Sequence, residues 1–165
     1  MSLIINMFNY KKWADERALS AARSINGAQF LEQINFIRQQ LNHLVLVEEN
    51  FKARLLGEAE PHSVNNTEIV PALDSLITQV TDLNRWYQDY ISNLSEDDLN
   101  EQINFKFVDG RKGSMSKLEI LFHIVNHSTY HRGAIGKALD MSGGLRPADT
   151  YTVFIHQAEP QRRKI

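Results

Sequence analysis

The chain has 165 residues, 42% of them hydrophobic, a formal charge of −2 and no cysteine. That length and hydrophobic content fit one domain with a real core, and the near-neutral charge argues against a dedicated nucleic-acid binder, which carries a basic stripe, and against binding to an anionic membrane. Without cysteine there is no disulfide framework and no protein thiolate to act as ligand or nucleophile. The opening stretch from Met1 to Tyr10 lacks the basic segment and apolar run of a signal peptide, and no stretch approaches a membrane span, so a cytoplasmic protein is expected.

The elements follow in order. A first helix is predicted over residues 3–25, stopped by Asn26-Gly27. A second is predicted over 29–56, with Ile34, Ile37, Leu41, Leu44, Phe51 and Leu55 at helical spacing and Gly57 as its stop. A third starts near Pro71, which is tolerated in a first turn, and runs to Leu94 through Leu73, Leu76, Ile77, Val80, Leu83 and Tyr87. Ser95-Glu96-Asp97-Asp98 reads as one capped helical turn. The period then changes: Ile103, Phe105 and Phe107 alternate, and Asp109-Gly110 suits a two-residue turn, so a short β-hairpin is predicted at 103–114. The fourth long helix opens at Ser116, where Ser116-Lys117-Leu118-Glu119 matches the capping box, and ends before Gly143-Gly144. The tail from Tyr151 to Ile155 is expected to pack along the bundle. The fold class is all-α: an antiparallel four-helix bundle with a hairpin between helices three and four, forming one domain over 1–165.

His123, His127 and His131 follow one another at steps of four, and each step turns a helical side chain by only about 40°, so neighbours share a face. Two imidazoles on one helix can serve one ion, and a third ligand must come from elsewhere. His43, in the middle of the second helix, can reach the same depth. The ordinary alternative is a solvated helix face. On a helical wheel the apolar residues of the fourth helix span an arc of about 200–340° from Leu118; His131 falls near 220°, His127 near 180° and His123 near 140°. His127 and His131 are thus better turned toward the bundle, and His123 is expected to line the site rather than to bind the ion. His62, beside Pro61 in a polar loop, is expected to be exposed, and His156 lies in the tail. Glu48 falls about 140° from His43 on the apolar side of its helix, so it should be paired, with an arginine or with groups of helix one near Trp13.

Three stretches carry a family resemblance. Tyr10-Lys11-Lys12-Trp13-Ala14-Asp15-Glu16-Arg17, Leu41-Asn42-His43-Leu44-Val45-Leu46-Val47-Glu48 and, most specifically, Asn126-His127-Ser128-Thr129-Tyr130-His131-Arg132-Gly133 resemble motifs of the DinB/YfiT-like proteins, a group of metal-binding bundles unrelated to the DNA polymerase that shares the name. The ending Pro147-Ala148-Asp149 fits as well. The resemblance covers nearly the whole chain. Tyr130 stands where the family frequently has histidine and Ala134 where glutamine is common; neither is a ligand position.

The resemblance implies one divalent transition metal, zinc, nickel or iron, held by His43, His127 and His131. Three imidazoles leave a coordination position open, the mark of a catalytic rather than a structural site. Characterised members of the superfamily include metal-dependent transferases that use low-molecular-weight thiols, which implies a metal-activated thiol and an electrophile as partners here. Arg54 or Arg132 could hold a carboxylate of either one, and the ordinary reading of both is a salt bridge. The alternatives are a hydrolase using metal-bound hydroxide and a non-catalytic, stress-related metal- or ligand-binding protein. A homodimer is expected from the resemblance alone.

Overall fold

The computed structural model describes residues 3–107 and 110–163. Four long helices form the bundle: α1 (Leu3–Arg23), α2 (Leu31–Leu56), α3 (Leu73–Ser92) and, after the short α4 (Glu96–Asn100) and a hairpin, α5 (Lys117–Met141). The hairpin consists of β1 (Gln102–Lys106) and β2 (Lys112–Ser116), and α6 (Tyr151–Ala158) with a 3₁₀ turn (Pro160–Arg162) closes the chain.

The sequence signals act where they were read. Ser116 accepts from the backbone N–H of Glu119 while the Glu119 carboxylate accepts from the N–H of Ser116, and Ser95 and Asp98 make the same reciprocal pair at α4. Gly57 ends α2 with a left-handed φ of 70°, and the N–H of Glu58 reaches back to the carbonyl of Ala53. α1 stops at Arg23, two residues short of the predicted end, and the Asn26 side chain instead accepts from the N–H groups of Ala28 and Gln29 in the turn. The tail packs as a helix, burying Phe154 and Ile155.

Lys106 pairs with Lys112, and the N–H of Phe107 donates to the carbonyl of Arg111. Gly110 takes a φ of 85°, in the left-handed region that favours glycine. The turn predicted at Asp109-Gly110 rests in part on Asp109, which with Val108 lies outside the described residues.

Around the bundle the helices follow the order α1, α3, α2, α5. α1 runs antiparallel to α3, joined by Asn9 to Gln88 at one level and Arg23 to Asp74 at another, and α2 runs antiparallel to α5. α2 and α3 run parallel, which the long connection over 57–72 permits because it returns along the whole of α2. That connection is fastened to α2 by side chains. Arg38 donates to the carbonyls of Val70 and Pro71, Asn42 binds Asn66 and Thr67, and Arg54 forms a bidentate pair with Glu60. Asn50 exchanges two hydrogen bonds with the backbone of His62, at 2.9 and 3.0 Å. His62, expected in an exposed loop, is therefore half-buried, and its ring meets Glu49.

The core contains Phe8, Leu41, Leu44, Leu76, Tyr87, Ile120, Ile124 and Ile135, and at its centre lies an ionic cluster drawn from all four long helices. The ammonium of Lys11, fully buried, sits 2.9 Å from Asp15, 3.0 Å from Glu48 and 2.8 Å from the side-chain oxygen of Asn84. Arg132, itself buried, donates to Asp15 at 2.8 Å, to the hydroxyl of Ser128 at 2.7 Å and to Asp149 at 2.7 Å. Tyr10 completes the chain by donating to Asp149 at 2.6 Å. Glu48 is thus paired with helix one, as its position demanded, through a lysine rather than an arginine.

Candidate metal centre

α2 and α5 run antiparallel, so the middle of one faces the middle of the other. This brings His43 against His127 and His131, with Nε2 atoms 3.1 Å apart for His43 and His127 and 3.0 Å apart for His127 and His131. One ring nitrogen from each of the three lies within 4.8 Å of the others, an arrangement that can hold a metal ion. Imidazole nitrogens bound tetrahedrally at about 2.0–2.1 Å are spaced roughly 3.3 Å apart, so the separations here fit with little adjustment.

The outer rings are aimed by hydrogen bonds at their other nitrogen. Nδ1 of His43 lies 2.8 Å from the backbone oxygen of Asn65, in the loop fastened along α2. Nδ1 of His131 lies 2.6 Å from Oε1 of Gln40, one turn before His43 on α2. A carbonyl oxygen only accepts, so in the neutral rings Nδ1 carries the proton and Nε2 presents a lone pair to the shared centre. Both Nδ1 partners belong to the second helix or its loop, and neither was foreseen. Gln40 could have been found, because it lies three residues before His43 and so shares its helix face.

Electrostatics also favour the neutral form. Burial, reinforced by the neighbouring rings of His131 and His43, lowers the pKa of His127 to about 3; burial and His43 lower that of His131 to about 4. Imidazoles that resist protonation are ready to donate to a cation near neutral pH without first losing a proton.

His123 stands apart, as the wheel predicted. Its ring stacks on His127 with centroids 5.3 Å apart and meets Phe51 at 4.9 Å, and it is not one of the three converging residues. It lines an open cleft of about 400 Å³ together with His43, His127, Val47, Phe51 and Arg54. Burial, helped by the Arg54 charge, lowers its pKa.

The structure separates the two arginines. Arg132 neighbours His131 in sequence but points into the core, where Asp15 and Asp149 engage it; Arg54 lines the cleft. The ionic cluster behind Arg132 went unread, although a signal was present. By the same wheel Ser128 and Arg132 fall at about 280° and 320°, inside the apolar arc of the fourth helix. Lys11 and Asp15 likewise share the buried side of α1 with Phe8 and Leu19.

Among the described residues, no helix is long and apolar enough to cross a membrane. No curated protein and no solved structure matches the chain. The family model described as "DinB family" matches residues 1–163, spanning the helix-one motif, His43 and the His127–His131 pair alike, and the chain therefore belongs to the DinB family.

Proposed function

We propose that His43, His127 and His131 hold one divalent transition metal ion and that the protein is a metal-dependent transferase acting on a low-molecular-weight thiol. The observation that supports this reading is the convergence of the three Nε2 atoms, with Nδ1 of His43 and of His131 tied to oxygen acceptors, beside an open cleft. The chain supplies three nitrogen ligands and no thiolate, so an ion there keeps a position for an outside molecule. Bound in this way, the metal would lower the pKa of a thiol and supply a nucleophile near neutral pH.

The protein's own residues orient the site. Asn65 and Gln40 fix the rings, so the lone pairs need no reorganisation. Phe51 and the stacked ring of His123 form an aromatic wall beside His127. On the other side of α5, Leu3 and Phe122 are exposed around a groove that also includes Met7 and Val125, and we place the homodimer contact there.

The test is to purify the protein without a histidine tag, measure its metal content, and assay the metal-loaded form with a panel of small thiols and a chromogenic electrophile. Turnover that requires both thiol and metal is the expected result. One tightly bound ion with no turnover across the panel would leave a metal-binding protein without this activity. Turnover with metal and water alone would make it a hydrolase.

A further inference from the structure

The cleft beside the histidines has a second pole. His43, Val47, Phe51 and Arg54 share one face of α2 and all line it, so it runs from the histidines toward the end of the helix. From His43 to Arg54 the helix advances about 16 Å at 1.5 Å per residue, and side chains leaning toward the helix start shorten that span. The middle is apolar and aromatic, built from Val47, Phe51 and Phe107.

At the far end Arg54 is fixed on three sides. Its guanidinium carbon lies 4.6 Å from the ring centre of Phe51 and 4.3 Å from that of Phe105. Glu60 takes one edge, with Nε to Oε1 at 2.8 Å and Nη2 to Oε2 at 2.9 Å. Only 10% of the side chain is exposed, so the group cannot swing away into water. The other edge, formed by Nη1 and the second hydrogen of Nη2, has no partner among the described residues, and Nη1 is not sealed in the interior. Two parallel N–H groups on a fixed plane match the two oxygens of a carboxylate. Between the poles, the ring nitrogens of His123 also lack a hydrogen-bond partner among the described residues while the ring lines the cleft.

We infer that the cleft binds an elongated small molecule that places a metal-binding head at the three histidines, an apolar middle against Val47, Phe51 and Phe107, and a terminal carboxylate on the free edge of Arg54. The inference rests on the metal site proposed above and adds to it a substrate class, a carboxylate-bearing molecule, and the residue that selects it. His123 borders the middle of this path and offers a hydrogen bond to a polar atom near the head. Arg132, the other arginine beside the motif, plays no part, because Asp15 and Asp149 already hold it.

Hydroxamates bind such ions whatever the natural head group is, which makes them suitable probes. Zinc-loaded protein is titrated by calorimetry with straight-chain hydroxamates of four to ten methylenes that end either in a carboxylate or in its methyl ester. At the best length the acid should bind roughly tenfold to a hundredfold more tightly than the ester, the range for a hydrogen bond to a charged group. The Arg54→Gln variant should keep its zinc and its affinity for the ester and lose the preference for the acid. The Glu60→Gln variant, which frees the guanidinium from its resident carboxylate, should keep or increase the preference, and it tests the idea even if Arg54→Gln folds poorly. Equal binding of acid and ester to the unaltered protein, or a preference that survives Arg54→Gln, overturns the carboxylate subsite and leaves the metal site standing. Zinc-loaded protein that binds neither probe overturns both.

Discussion

Along α5, Ser128 and Arg132 point into the core while their neighbours His127 and His131 converge with His43, His127 also lining the cleft, so one helix serves two polar clusters that are finished in opposite ways. In the core cluster each charge has an opposite partner, and the hydrogen bonds run from one long helix to the next. Around the cleft, three imidazole nitrogens converge, His123 is left without a hydrogen-bond partner among the described residues, and one edge of Arg54 is unused. A buried group that is already satisfied holds the chain together; a group left unsatisfied beside a cleft is available to something from outside. On that contrast the core cluster is expected to carry stability and the histidine cluster to be dispensable for it, and substitutions should separate the two.

The largest effect is expected at Lys11. Lys11→Met leaves Asp15 and Glu48 facing each other in the core, and breaking such a buried set costs about 3–5 kcal/mol. Urea unfolding of the metal-free protein measures it, and a loss below about 1 kcal/mol would show that the cluster is not needed for the fold. The histidines should behave in the reverse manner. Replacing His43, His127 or His131 singly with alanine should reduce zinc affinity by more than roughly the 100-fold at the upper end for outer partners, with the unfolding midpoint of the metal-free protein little changed. Gln40→Leu frees Nδ1 of His131 and should cost roughly 10–100-fold in zinc affinity, read by competition with a chelator.

A pH series sharpens the contrast within the core. Burial pushes the Asp15 carboxyl up, but Lys11 and Arg132 overcome this and hold it at about 2, below its ordinary 3.8. A carboxylate lowered on folding contributes stability that is complete above the unfolded value and lost as pH falls through the folded one. Asp15 should therefore contribute about 2 kcal/mol that disappears between about pH 4 and pH 2, and Asp15→Asn should remove that slope. Glu48 has the opposite sign, because burial raises it and Lys11 only partly offsets the burial, with Asp15 pushing the same way as burial. Its contribution is complete below its unfolded value and is lost as pH rises through the folded one, so Glu48→Gln should cost much less near neutral pH than Asp15→Asn. The smallest effect is expected at His123: His123→Ala should leave the zinc stoichiometry unchanged by calorimetry, and loss of the ion there with retention in His43→Ala would overturn the ligand assignment.

Periodicity made the long helices legible, and so did local chemistry at their ends, as the reciprocal caps at Ser95 and Ser116 show. The three histidines were legible because helical spacing fixes His127 and His131 relative to each other and the family motif supplies His43. What the sequence hid depends on partners distant in the chain. Lys11 and Asp15 four residues apart look like a surface pair until Glu48, Asn84 and Arg132 close around them. The parallel course of α2 and α3 depends on how the 57–72 connection lies, and a polar loop carries no periodicity that would reveal it. The hairpin was legible because Ile103, Phe105 and Phe107 alternate before Asp-Gly, and β1 pairs with β2 as that pattern requires.

For the ion proposed at the three histidines, the bond from His43 to the backbone of Asn65 couples binding to the connection over 57–72. A ring that grips the loop through one nitrogen and a cation through the other links the two energetically, and linkage is reciprocal: whatever free energy the ordered loop lends to the bound ion, the ion returns to the loop. Proteolysis within 57–72 should then slow as metal is added, and a variant such as Asn42→Ala, which loosens the grip on Asn66 and Thr67 without touching the histidines, should weaken the ion by the same factor by which it weakens that protection. The loop would then report on the occupancy of the proposed centre, to which it contributes only one backbone oxygen.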